Sequence, residues 1–224
     1  MSESNRHRHR IEKRSSASSG ARLRGTRHHL GQPLPDNAVV DCGWGRLIFA
    51  HTFADNAELA ATIRKERTGH RDLALYLRDP QVVLALAPQS LFLDPSHTYR
   101  LWFSSYLPGR VVPKGFVIRR LQSEADAQAI HRLLLSRAMV TAEPGFIWEH
   151  RRSRALKYFI AEDKETGRAI GTVTGVDHSA AFDDPENGSS MWCLAVDPQA
   201  RQPGIGRSLV AHVADHFAVR GRAF

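Results

Sequence analysis

The chain has 224 residues, enough for one large domain or two small ones. With 42% hydrophobic and 24% charged residues it reads as globular, and its longest apolar run, residues 82–87, is far short of the roughly 20 residues of a membrane helix. Most of the net charge of +8 sits in residues 1–30, where eight Arg or Lys face two Glu, so the basic character belongs to a tail and not to a folded surface.

Residues 1–36 are rich in Arg, His, Ser and Gly and poor in large apolar groups, which predicts disorder. No aromatic residues are interleaved for base stacking, so this tail is read as a solvated leader and not as a nucleic-acid arm. It also lacks the apolar run of a secretory signal. Cys42 and Cys193 have no metal-ligand spacing, and without an export signal two buried free thiols and a cytoplasmic location are expected. His28-His29 is read as tail composition, since no further Cys or His cluster completes a metal site.

Residues 38–107 predict a small α/β unit. Residues 46–51 (RLIFAH) read as a strand, and residues 55–67 as a helix with Leu59 and Ile63 on one face. Residues 72–77, 81–87 and 99–104 read as three further strands. No catalytic motif stands out in this unit. Pro108-Gly109 and Pro113-Lys114-Gly115 mark a boundary near residues 108–115.

Residues 116–224 carry a clearer pattern. Residues 116–121 (FVIRRL) predict a strand. Ser123 with Asp126 resembles a capping box at the start of a helix whose buried stripe is Ala127, Ile130, Leu133 and Leu134. Pro144 suits the first turn of a second helix holding Phe146, Ile147 and Trp148. Residues 158–162 and 169–176 read as a hairpin turning at residues 164–167, followed by a polar loop over residues 178–189. The next strand, residues 191–196, ends before Pro198, which cannot continue a ladder. A helix follows, with Leu209, Val210, Val213 and Phe217 on one face and Gly221 as its stop.

The sharpest signal lies between that strand and that helix. In Arg201-Gln202-Pro203-Gly204-Ile205-Gly206 the two glycines allow positive φ and close backbone approach. Their N–H groups, with those of Arg207 and Ser208, would converge at a helix N-terminus, a physical recipe for holding phosphate. Arg201 or Arg207 could add charge. Other glycine motifs fail here. Leu209 stands where a dinucleotide fingerprint needs its third glycine, no Gly-Lys-Ser/Thr run makes a Walker A loop, and no G-x-S-x-G elbow occurs.

Leu194-Ala195-Val196-Asp197-Pro198, the R-x-x-G-x-G hexamer at 201–206 and the amphipathic helix resemble motif A of the GCN5-related N-acetyltransferase (GNAT) family. The resemblance covers residues 116–224, with Gln202 departing from the glycine that many members have there. It implies the acyl-CoA N-acyltransferase fold: a mixed, mainly antiparallel sheet flanked by helices. It also implies acetyl transfer from acetyl-CoA, as co-substrate, to a small-molecule amine. The pyrophosphate would lie on Arg201, Gln202, Pro203, Gly204, Ile205, Gly206, Arg207 and Ser208. The pantetheine arm would pair with the backbone of Leu194, Ala195 and Val196, and an N–H near Leu194 or Ala195 would polarise the thioester carbonyl.

The chain also resembles the acetyltransferase part of N-acetylglutaminylglutamine synthetases. That implies glutamine or a glutamine dipeptide as acceptor, in osmolyte synthesis, with an ATP-grasp ligase as partner or missing domain. Glu143, Glu149, Asp177, His178 and Cys193 are open candidates for the base, none singled out by spacing, and Trp192 is read as core packing. The family continues with a fifth strand and a further helix, so the domain is expected to be C-terminally incomplete and its stand-alone turnover poor. The alternative is a non-catalytic CoA-binding or partner-docking module, or an inactive fragment.

Overall fold

A computed structural model describes residues 36–65, 73–77, 79–94, 97–108 and 113–224. The basic tail, together with Arg67, Asp72, Arg78 and Gly109, lies outside the described residues.

The first sheet has three short strands, β1 (Val39–Asp41), β2 (Arg46–Ile48) and β3 (Leu73–Leu75), with β1 antiparallel and β3 parallel to β2. Between β2 and β3 runs α1 (Asn56–Ile63), whose first turn is capped by the Asp55 carboxylate accepting from the Glu58 N–H. The helix is shorter than the expected residues 55–67. The strand expected over residues 46–51 also stops early. The Phe49 N–H reaches back to the Ala38 carbonyl and Thr52 closes a 3-10 turn onto Phe49.

Two expected strands are corrected. Residues 81–87 are not a strand but lie largely within α2 (Pro80–Leu86). Pro80 at the first helical position has its φ preset for a helix, and only Val83 of this run is fully buried within it. Residues 99–104 form no strand either. The Phe103 N–H bonds to the Ala223 carbonyl, and a 3-10 turn takes over at Phe103–Ser105.

The second sheet carries four antiparallel strands in the order β4 (Phe116–Arg120), β5 (Leu156–Asp163), β6 (Ala169–Asp177) and β7 (Ser189–Val196). Two helices, α3 (Glu124–Leu135) and α4 (Pro144–Glu149), cover one face. The long α6 (Ile205–Val219) covers the other. Strand β5 shows why both faces are dry. Leu156, Tyr158 and Ile160 enter the core under α3 and α4, while Phe159 and Ala161 enter the core under α6.

The capping box at the start of α3 is present, with Ser123 accepting from the Asp126 N–H and Asp126 accepting from the Ser123 N–H. In α6, Leu209, Val213 and Phe217 are buried, but Val210 points outward at 39% exposure. That helix ends as expected at Gly221, φ +71°, where the N–H groups of Gly221 and Arg222 return to the carbonyls of Ala218 and Phe217.

Within the expected polar loop 178–189 there is a short α5 (His178–Phe182), capped by Asp177 accepting from the Ala180 N–H. The strand that follows begins two residues before the expected 191, at Ser189.

The α6 face is held close by missing side chains on β6. A Cβ at Gly171 would meet Ile205 Cγ2 at 2.8 Å and Leu209 Cδ1 at 3.1 Å. Gly171→Val therefore wedges helix from sheet. We expect a loss of about 1–3 kcal/mol, typical of overpacking, read as a lowered urea midpoint.

Candidate active site

The strand that ends the sheet, β7, and the start of α6 build the candidate site. Opposite Thr172 lies Ala195 and opposite Thr174 lies Trp192, so Cys193 and Leu194 together face the single residue Val173. This is a β-bulge, and Cys193 adopts φ +52°, uncommon for a residue with a side chain. The bulge leaves peptide groups at Cys193–Leu194 out of the ladder with β6, on a strand whose far edge pairs with no further strand among the described residues and takes the Phe224 carbonyl at the Ser189 N–H. Leu194 is exposed, Ala195 buried and Val196 intermediate.

Beyond Val196, the Asp197 N–H bonds to the Ile170 carbonyl and its carboxylate accepts from the Gln199 N–H, turning the chain toward α6. Gly204 is the N-cap of α6 at φ +81°, in the left-handed region, and a Cβ there would meet nothing within 4 Å. A Cβ on Gly206 would touch only Val196 Cγ2, at 3.7 Å. The loop is thus open to a ligand on the side of its glycines. The N–H groups of Ile205, Gly206 and Arg207 lie in the first turn, where no intrahelical carbonyl reaches them.

The Ser208 N–H, expected among these donors, is spent on the Gly204 carbonyl, and Ser208 is buried. Ile205 points into the core, while Arg201, Pro203 and Arg207 are exposed. Gln202, the residue that departs from the motif, donates its side-chain amide to Asp163 Oδ2 in the β5–β6 turn. Asp163 is itself fixed by the N–H groups of Glu165 and Thr166, bonds that hold its carboxyl below the usual range. Gln202 therefore anchors the glycine loop to the hairpin.

The five candidate bases separate clearly. Glu143, the residue before α4, and Glu149, the last residue of α4, are both exposed. Asp177 is buried and spent as the cap of α5 and as the ion-pair partner of Arg222, with N···O distances of 2.9 Å. Burial pushes the Cys193 thiol up to about 12, so it is held as a thiol and not a thiolate, and Cys42 is pushed up to about 12 in the same way. Cys42 is buried as expected, but Cys193 is only half-buried.

His178 alone is aimed at the face of β7. Its Nε2 lies 2.8 Å from Ser190 Oγ and its Nδ1 lies 3.6 Å from Asp184 Oδ2. Sequence reasoning missed Ser190 and Asp184. Antiparallel pairing sets Ser190 opposite Val176, so the residue just past the end of β6 falls beside it.

Aromatic rings from the N-terminal segment wall this face. Trp44 lies 5.9 Å and Tyr76 6.4 Å from Trp192, centroid to centroid. The Trp192 indole N–H donates to Ser190 Oγ at 2.8 Å. Trp192 is thus partly core, as expected, and partly site. Among the described residues no group of three or more His, Cys, Asp or Glu could hold a metal ion, and no helix is long and apolar enough to cross a membrane.

Residues 127–222 match the acetyltransferase (GNAT) family. No curated protein is significantly similar to the chain. Among solved structures the chain is similar to glucosamine-6-phosphate N-acetyltransferase from Arabidopsis thaliana, with 22% identity, a TM-score of 0.40, and 48% of this chain and 78% of that one covered. It is also similar to a GCN5-related N-acetyltransferase from Ralstonia eutropha, at 20% identity, TM-score 0.37, and 49% and 80% coverage. A third is a Mycobacterium tuberculosis protein in complex with CoA, at 22% identity, TM-score 0.36, and 46% and 59% coverage. These likenesses concern the fold alone.

Proposed function

We propose that residues 127–222, a domain of the GNAT acetyltransferase family, transfer an acetyl group from acetyl-CoA to an amine. The observation that carries this reading is the left-handed glycine cap of α6 lying next to the bulged edge of β7, beyond which no further strand pairs among the described residues. The free N–H groups of Ile205, Gly206 and Arg207 suit a pyrophosphate, with Arg201 and Arg207 beside them. The edge of Leu194, Ala195 and Val196 suits an extended amide-bearing arm. Peptide N–H groups released at the bulge suit the oxygen of a thioester carbonyl as negative charge develops on it. Acetyl-CoA supplies the activated acyl group when bound; the chain's part is to hold it, to exclude water behind Trp192, and to receive the proton of the acceptor amine.

The acceptors to assay first are glutamine and a glutamine dipeptide, on the resemblance to N-acetylglutaminylglutamine synthetases. An ATP-grasp ligase is then the natural partner, in the cytoplasm. Titration calorimetry of the full chain with acetyl-CoA tests the cofactor reading. Binding that survives a combined Gly204→Asp and Gly206→Asp change at wild-type strength would falsify the loop assignment.

A further inference from the structure

Basic side chains from three elements crowd the end of α6 opposite to the glycine loop. Arg120 closes β4 and lies opposite Phe159 of β5. Residues opposite one another share a face of the sheet, so Arg120 stands on the face that α6 covers. Lys157, two residues before Phe159, shares it. Its neighbour across the ladder is Gly175, where a Cβ would meet Phe217 of α6 at 2.8 Å. From α6, His216 stands edge-on to Phe159 at 5.0 Å. Arg220, one turn on, donates from Nη1 to His216 Nδ1 at 3.1 Å. Arg154 approaches Lys157 from the loop before β5. Arg220 lies a full helix length past Ile205, about 22 Å at 1.5 Å per residue.

These charges lack counter-charges. Among the described residues Arg120 and Arg154 have no carboxylate partner. The carboxylate that Lys157 feels is Asp177, already paired with Arg222 at 2.9 Å. Lys157 is only 8% exposed, and its ammonium donates to the Ser153 carbonyl, one bond for three donors. Burial, with Arg120, Arg220 and Arg154 adding to it, pushes Lys157 down to about 8. Burial and the cations of Arg220, Arg120 and Lys157, with His212, push His216 down to about 4, so its imidazole is neutral. A guanidinium only donates, so Nδ1 of His216 accepts and Nε2 carries the proton. That buried N–H has no partner among the described residues.

The helix end explains part of this. The last carbonyls of α6 favour a cation, and Arg220 also donates to the His216 carbonyl. They give no reason for two neighbouring strands to bring a buried ammonium and an exposed guanidinium to the same end. An anion does. The cluster offers donors and no free acceptor, and Arg120 and Arg154 are exposed while Lys157 is recessed. A compact tetrahedral oxyanion reaches such a recess, whereas a flat acidic surface meets only the outer guanidinium groups. A phosphate group carries close to two charges and three strong acceptor oxygens, which match guanidinium forks.

We propose that Arg120, Arg154, Lys157 and Arg220 bind a phosphate group, free or carried by a small ester, at a site separate from the glycine loop. The two exposed arginines supply forked donors at the mouth, and Lys157 supplies a point charge at the base. The site stands whether or not the acetyl-CoA reading does, because no residue is shared between them.

Titration calorimetry of the full chain with inorganic phosphate and with glycerol 3-phosphate tests it. Arg120→Gln and Lys157→Met should each weaken binding at least tenfold. Both should fold, since Arg120 is exposed and methionine replaces a buried ammonium by an apolar chain. Gly206→Asp should leave binding within about twofold, and so should Arg168→Gln, an exposed arginine between β5 and β6. At about pH 8.5 the ester is already a dianion, and its binding should take up protons as Lys157 regains its ammonium. The uptake reads as a heat that varies with the ionisation enthalpy of the buffer. It should vanish in Lys157→Met, because the arginines stay charged and His216 stays neutral at that pH. Tighter binding of the ester assigns the site to a phosphorylated small molecule, and equal binding assigns it to free phosphate; either supports the site. No binding of either probe, binding without proton uptake, binding lost in Gly206→Asp but kept in Lys157→Met, or equal weakening by Arg168→Gln overturns it.

Discussion

Gly206→Asp should weaken acetyl-CoA binding at least about 100-fold while leaving the fold intact. The two halves of this expectation have separate physical causes. A side chain at Gly206 has room, since its Cβ would meet only Val196 Cγ2 at 3.7 Å. Gly206 is also in the first turn of α6, where a carboxylate is favoured by the helix dipole by roughly 0.3–1 kcal/mol. The helix is therefore not weakened. The same carboxylate would occupy the N–H groups proposed to receive pyrophosphate. Like charges about 4 Å apart repel by about 4 kcal/mol at an effective dielectric of 20, and salt reduces this. Calorimetry with acetyl-CoA, beside a thermal melt, separates the two. A variant that melts like wild type and binds like wild type would refute the phosphate role of the loop. Gly206→Ala adds a methyl without charge and should bind within about tenfold of wild type.

The parts of the site that follow from local chemistry were legible in the sequence. Ser123 and Asp126 announce a capping box, Pro144 the start of a helix, and Gly221 the end of one, because each acts within a turn of its own backbone. The glycine loop was legible for the same reason. Other parts depend on partners distant in the chain. The apolar residues 82–87 fit a buried strand as well as a helix, and Pro80 tips them into α2. The bulge at Cys193–Leu194 has no glycine to mark it, and appears only in the register of β7 on β6. His178 was one candidate base among five. Only the pairing of Ser190 with Val176, and the fold-back of Asp184 onto Nδ1, set it apart. Residues 38–107 showed no motif, yet Phe49 stands edge-on to His178, while Trp44 and Tyr76 flank Trp192.

The largest loss of stability is expected at Asp126. Its carboxylate accepts both terminal nitrogens of Arg119, at 2.7 and 2.8 Å, and the N–H groups of Gln122 and Ser123, at 2.9 and 3.1 Å. It thus joins β4 to the start of α3, and Arg119 extends the link to Glu162 on β5 at 2.6 Å. Asp126→Ala removes half of a capping box, worth about 1 kcal/mol, and leaves a half-buried guanidinium with a single carboxylate partner. Breaking a fully buried pair costs about 3–5 kcal/mol, and the partial exposure of Arg119 places the total near 2–4 kcal/mol. Acid should erase the difference. Burial alone would raise the Asp126 carboxyl, but the Arg119 guanidinium and the two peptide N–H groups outweigh it and lower the folded value. A carboxyl lowered on folding adds stability that is fully present above its unfolded value of about 4 and is lost as pH falls through the folded value. Urea midpoints of wild type and Asp126→Ala should therefore lie far apart at pH 7 and converge below about pH 4. A gap that persists undiminished at pH 2 would mean that the carboxylate charge is not what joins β4 to α3.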